Sequence, residues 1–242
     1  MLVNIYCALV IVVAFVGEAV FGFGGGLLSV PLLSLAIDVR DAVVLASIFQ
    51  CILAVLVLTN WRDVAWSLVK PVLVGVVVGV VIGSCALTFL NLNALRLLLA
   101  AFILAFLAKT ILFPDVSVTT PGLAAGTLSG ILLGFFQGCI GAGGPNLVLY
   151  LNQIVPGQRQ FRATMICALS VASIIRMPFF ASAELFTTSV RSIALPIVPL
   201  FLIGMIAGQQ AHHRVPSALY FRVVYLFLLV SALCLIWRSL PA

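Results

Sequence analysis

Glu18 is the only carboxylate deep inside an apolar stretch, and it lies four residues ahead of Gly22, one helical turn away on the same face. An ionised side chain at the centre of a bilayer costs on the order of 3 kcal/mol or more, so this acid is either protonated there or faces a polar cavity. It is therefore a candidate proton carrier or substrate gate; the plainer reading is a permanently protonated acid making a helix–helix hydrogen bond. Immediately after it the chain runs Gly22-Phe23-Gly24-Gly25-Gly26. A second break, Gly141-Ala142-Gly143-Gly144, follows Gln137, the neutral isostere of a glutamate. Glycine inside a membrane helix weakens it and frees backbone groups that lipid cannot satisfy, so such a break persists only where protein or a wet cavity covers it.

A new half-helix beginning after each break would present unpaired N–H groups and a positive dipole end, which suit a small anion. Pro145 fits the first position of the second half-helix, where a missing N–H costs nothing. Two such N-termini meeting near the midplane would form one site. The expected binding groups are Gly22, Gly24, Gly25, Gly26, Gly141, Gly143, Gly144, Asn146 and Arg176, with Glu18 and Gln137 as the coupling or gating pair. Asn146 sits in the first turn beside the second break; Asn152 and Gln153 follow it, and Ser47 is a lone serine in an apolar segment. Arg176 lies about 20 Å along a helix starting at Ala163. It either snorkels to the far interface or offers its planar fork of donors to an oxyanion. Close helix packing alone is the competing explanation for glycines, and it is favoured for Gly79-x-x-x-Gly83 and Gly204-x-x-x-Gly208.

Other chemistry is missing. His212 and His213 fall in a loop, Gly126-Thr127-Leu128-Ser129-Gly130 is not a nucleophile elbow, and no phosphate-binding loop occurs. The six cysteines (Cys7, Cys51, Cys85, Cys139, Cys167, Cys234) lack metal or disulfide spacing and read as small packing residues. Neither an enzyme, a metal site nor a cofactor is expected.

The elements that position these residues are membrane helices. Of 242 residues, 64% are hydrophobic and 7% charged, far from the quarter-charged surface of a soluble domain. The net charge of +6 comes from basic residues scattered singly between apolar runs, which suits interfacial anchoring and excludes a nucleic-acid partner. The N-terminal apolar run lacks a basic leader and reads as a retained membrane segment. Polar punctuation separates apolar segments near 2–21, 27–37, 42–59, 68–90, 94–113, 121–137, 146–155, 163–182, 192–211 and 218–237. An 11-residue helix such as 27–37 covers only about 16 Å, half the hydrocarbon core, and a straight helix over 2–37 would run about 54 Å. The chain there must break or bend back.

The halves repeat. Glu18, Gly22, Gly24 and Gly25 correspond to Gln137, Gly141, Gly143 and Gly144 at an offset of 119; Gly79 and Gly83 match Gly204 and Gly208 at 125, and Arg96 matches Arg222 at 126. An ordered series with slowly drifting offset indicates duplication. The expected architecture is an all-α integral membrane protein of two homologous repeats, 1–117 and 118–242. Each has a glycine-broken, half-spanning helix followed by spanning helices, 8 to 10 hydrophobic segments in all. An odd number of passes per half would invert the repeats. Lys and Arg divide six to six between the two sets of loops, or seven to five if the short segments cross, so orientation stays open.

The two glycine motifs, Gly22-Phe23-Gly24-Gly25-Gly26-Leu27-Leu28-Ser29-Val30-Pro31 and Gly138-Cys139-Ile140-Gly141-Ala142-Gly143-Gly144-Pro145, resemble the sulfite exporter TauE/SafE family, as do the duplicated halves and the total length. The second motif departs from the usual glycine triplet, with Pro145 in its third place and Ala142 ahead of the pair. The resemblance implies a multi-pass inner-membrane carrier for sulfite or small organosulfonates, coupled to an ion gradient. The leading expectation is such a secondary transporter, an exporter of a small sulfur-containing anion, with the lipid bilayer as its other partner. A channel-like pore and a non-transporting membrane scaffold are the alternatives, and assembly into a homo-oligomer is left open.

Overall fold

The computed structural model describes residues 2–112, 122–151, 154–155, 157–211 and 217–239. The described residues form helices and turns: α1 (Leu2–Phe21), α2 (Gly25–Leu33), α3 (Val39–Leu53), α4 (Val55–Asn60), a 3-10 turn (Trp61–Asp63), α5 (Trp66–Phe89), α6 (Leu92–Leu112), α7 (Leu123–Ile140), α8 (Gly144–Leu151), α9 (Gln158–Ser182), α10 (Thr188–Ala211) and α11 (Ser217–Ser239). Six of them, α1, α5, α6, α7, α9 and α10, are long and apolar enough to cross a bilayer. Their outer faces carry exposed large apolar residues such as Val74, Val78, Leu195 and Ile203, as lipid-facing helices should. The apolar segment 42–59 forms two helices in succession, joined at Ala54.

Segments 27–37 and 146–155 correspond to α2 and α8, and neither continues the helix before it. The Tyr6 hydroxyl, near the start of α1, donates to the Leu32 carbonyl at the end of α2 over 2.9 Å. Since Gly25, at the start of α2, is bonded to Glu18 near the end of α1, α2 folds back along α1. Likewise the Tyr150 hydroxyl, late in α8, lies beside Gly126, early in α7. Each pair is a helical hairpin whose tip is a glycine break. The reversal depends on backbone that L side chains rarely adopt: Gly22 has φ +91°, Gly24 +109° and Gly141 +68°.

Close packing sets helix directions. Gly75, Gly79 and Gly83 of α5 lie on the backbone of Thr127, Ile131 and Phe135 of α7 in ascending order, so these two helices run parallel. Gly130 and Gly134 return the contact onto Val72 and Val76. A β-carbon at any of these positions would occupy backbone atoms of the partner, the close approach that small residues permit between membrane helices. Gly204 and Gly208 of α10 pack in the same sense on Val12, Val16 and Ala19 of α1. The expectation of packing glycines on α5 and α10 matches this geometry.

Helices α3 and α9 run antiparallel. Asp41, at the start of α3, accepts from the Thr187 hydroxyl just beyond α9 at 3.5 Å, whereas Thr164, early in α9, accepts from the Ala65 N–H that follows α4 at 2.9 Å. Arg159 and Asp63 form an ion pair of 2.7 Å on the same side as Thr164, next to exposed Trp61 and Trp66. The protein thus has an Asp63 face and an Asp41 face. The larger apolar core joins α1, α2, α3, α6, α10 and α11, with Phe15, Phe49 and Phe201 at its centre; Phe201 meets Phe15 edge-on at 5.5 Å between ring centroids. A second core joins α5, α7, α8 and α9.

Candidate functional site

The two hairpin tips meet inside the protein. Gly26 of the first packs directly on the Gly141 carbonyl of the second, and Phe23 faces Gly144. Each tip also rests on the helix that follows the other hairpin: Gly22 on Arg162 of α9, and Gly141 on Val43 of α3.

Each half-helix is capped by the side chain preceding its break. Glu18 Oε2 accepts the Gly25 N–H at 2.8 Å, and Gln137 Oε1 accepts the Gly143 N–H at 2.8 Å. The expected unpaired amides at these termini are thus partly taken up by the protein itself. The reason is geometric: a residue one turn before a reversal lies beside the start of the returning helix, where an oxygen acceptor satisfies an orphan donor and the helix dipole. The remaining oxygen of Glu18 accepts from Gln50 Nε2 on α3 at 2.7 Å, while Gln137 Nε2 faces Ser173 Oγ on α9 at 3.5 Å.

Between the tips lies a narrow cavity lined by Glu18, Gly24, Gly26, Leu27, Gln50, Gln137, Gly141, Ala142, Gly144 and Leu169. Gln50 stands near the middle of the climb from Val39 through Asn60, and Leu169 near the middle of α9, so the cavity lies at mid-height. Its free space holds no more than about one water molecule, and both breaks are buried. In this state the tips are closed on each other.

Six of the expected site residues line the cavity: Glu18, Gly24, Gly26, Gln137, Gly141 and Gly144. Gly22, Gly25 and Gly143 belong to the breaks but contribute through their backbone, Gly22 against Arg162 and the others as donors to Glu18 and Gln137. Asn146 is half-buried in the first turn of α8, its Nδ2 without a hydrogen-bond partner, and it stands outside the lining. Asn152, Gln153, His212 and His213 lie outside the described residues. Ser47 is buried and bonds the Val43 carbonyl of its own helix.

Arg176 does not snorkel. It is 1% exposed, donates to the backbone carbonyl of Gln137 and to Ser173 Oγ at 3.3 Å, and stacks over the Phe180 ring at 5.5 Å. Its Nε has no partner. Arg176 adds a second donor to the Gln137 carbonyl, which already accepts the Gly141 N–H at 3.1 Å.

Three participants escaped the sequence reading. Gln50 is a single polar residue in an apolar segment, and that was its available signal. Ser173 is one of several serines on α9. Arg162, grouped with the loop basic residues, is 4% exposed and donates from Nε to the Ala19 carbonyl at 2.5 Å. Among the described residues no cluster of three His, Cys, Asp or Glu side chains could hold a metal ion.

A family model described as sulfite exporter TauE/SafE matches residues 6–235, nearly the whole chain. No curated protein and no solved structure matches it.

Proposed function

This chain belongs to the sulfite exporter TauE/SafE family of membrane transporters, and from that premise we propose that it is a secondary transporter exporting a small sulfur-containing anion, sulfite or an organosulfonate, across the inner cell membrane. The observation that carries this reading is the meeting of two glycine-tipped hairpins at a mid-height cavity with Glu18 and Gln137 on its walls. Half-helix N-termini converging on one point favour negative charge in the space between them. The anion binds among Gly22, Gly24, Gly25, Gly26, Gly141, Gly143, Gly144, Asn146 and Arg176 once the tips part.

The proposal includes two inverted repeats, residues 1–117 and 118–242. It is supported by the antiparallel course of α3 and α9 and by reciprocal tip contacts, Gly22 on Arg162 and Gly141 on Val43, which share the offset of 119. Rocking one repeat against the other would open the cavity to each face alternately. Glu18 supplies coupling because its carboxylate and the substrate anion draw on the same donors at the start of α2. A proton on Glu18 weakens its hold on the Gly25 N–H, which is then free for substrate. Gln137 caps α8 without taking part in proton exchange.

The test is flux into liposomes holding the purified protein, with sulfite, sulfoacetate, sulfate and acetate as substrates and an imposed pH gradient. Saturable, gradient-dependent flux of a sulfur oxyanion is expected. No flux of any of the four, from protein that remains folded, defeats the transporter reading; non-saturating flux insensitive to pH would indicate a pore.

A further inference from the structure

Arg162 and Arg176 lie on one face of α9 with Leu169 midway, seven residues from each. Seven residues fall about 20° short of two helical turns, so all three side chains point in nearly the same direction. Leu169 lines the cavity between the tips. The arginines therefore flank that cavity, their backbones set about 10 Å along α9 on either side of Leu169 while their side chains reach the tips, Arg162 toward the Asp63 face and Arg176 toward the Asp41 face. Each touches one hairpin tip: Arg162 holds the Ala19 carbonyl beside Gly22, and Arg176 holds the Gln137 carbonyl beside Gly141.

Their charges are unmatched. Glu18, Arg162 and Arg176 are the buried charged side chains among the described residues, and Glu18 is engaged with Gly25 and Gln50. The ion pairs among the described residues, Arg96 with Asp38 and Arg159 with Asp63, involve neither buried arginine. Arg162 Nη2 and Arg176 Nε have no acceptor, although each side chain is more than nine-tenths buried. Capping a helix end accounts for the backbone bonds but leaves these donors idle and at least one positive charge uncompensated. A buried guanidinium is stable only when paired and hydrogen-bonded.

We infer that Arg162 is a second anion-binding residue, and that with Arg176 it makes a two-station path for one oxyanion, one guanidinium on each side of the central cavity. The inference rests on the transporter reading and deepens it. An anion arriving from the Asp63 face binds Arg162 first, passes between the tips at Leu169, and leaves by Arg176. Planar guanidinium forks fit an anion with several equivalent oxygens, such as sulfite or a sulfonate, better than they fit a halide.

The experiment measures uptake of radiolabelled sulfite by vesicles of both orientations, so that each face is presented outward in turn. Arg162→Gln should raise KM for anion offered at the Asp63 face about tenfold and leave KM at the Asp41 face within twofold; Arg176→Gln should do the reverse. Arg162→Lys, which keeps the charge and loses the fork, should give a smaller, equally one-sided rise, and it replaces the glutamine variant if that fails to fold. Equal changes at both faces, or none, would mean that the arginines only hold the tips, and would overturn the path while sparing the transporter. Wild-type protein that carries none of the tested anions removes both.

Discussion

Glu18 and Gln137 do the same structural task with different chemistry: each accepts a backbone N–H of a returning half-helix at 2.8 Å, one through a carboxylate and the other through an amide. The fold needs an oxygen at both places. Only one place holds an ionisable group, so on the proposed transporter reading the difference between them would bear on coupling and the similarity on stability.

Replacing Glu18 by Gln keeps an acceptor for the Gly25 N–H and removes the acid. The expected protein folds with a melting temperature close to wild type and still binds anion, while its transport rate no longer responds to an imposed pH gradient. Flux with unchanged pH dependence would assign Glu18 to structure alone.

The reverse exchange, Gln137→Glu, sets a second carboxyl on the cavity wall opposite Glu18. Like charge facing the substrate should weaken anion binding about tenfold, equivalent to about 1.4 kcal/mol. Direct binding of sulfite to the detergent-solubilised protein measures this, and unaltered affinity would place the substrate elsewhere.

Gly26 and Gly144 predict opposite outcomes for one added methyl group. In Gly26→Ala the β-carbon would coincide with the Gly141 carbonyl, whereas in Gly144→Ala the nearest atom, Phe23 Cβ, is 3.6 Å away. The first variant should lose about 1–3 kcal/mol of stability and its transport, because the tips can no longer close. The second should fold normally. Thermal melting of both in one detergent decides the matter.

Gly79→Leu tests the α5–α7 seam. The side chain would enter the backbone of Ile131 and Phe135, so the two helices must separate. A large fall in folded yield is expected, while Val78→Leu, on an exposed position of the same helix, should be silent. Size-exclusion profiles of the two variants distinguish a packing seam from a permissive surface.

The sequence alone determined the class of the protein, the places where its helices break, and the buried acid beside the first break. These are local properties. A run of apolar residues has few fates other than a bilayer, glycine doublets release the backbone wherever they occur, and a carboxylate among leucines and valines stands out without any partner being known. The end points of the helices followed within a few residues.

What the tertiary structure decided depends on residues distant along the chain. That α2 and α8 turn back is visible through Tyr6 reaching Leu32 and Tyr150 reaching Gly126, and no local pattern specifies either contact. Gln50 became the partner of Glu18 only because α3 climbs past the first tip. Arg162, which by sequence borders a loop, is buried because the tip of the other hairpin rests on it. Spacing along one helix says which side chains share a face, but what that face meets is set by packing between elements distant along the chain, 143 residues for Arg162 and Ala19 and 39 for Arg176 and Gln137, and that packing made two scattered arginines flank one cavity.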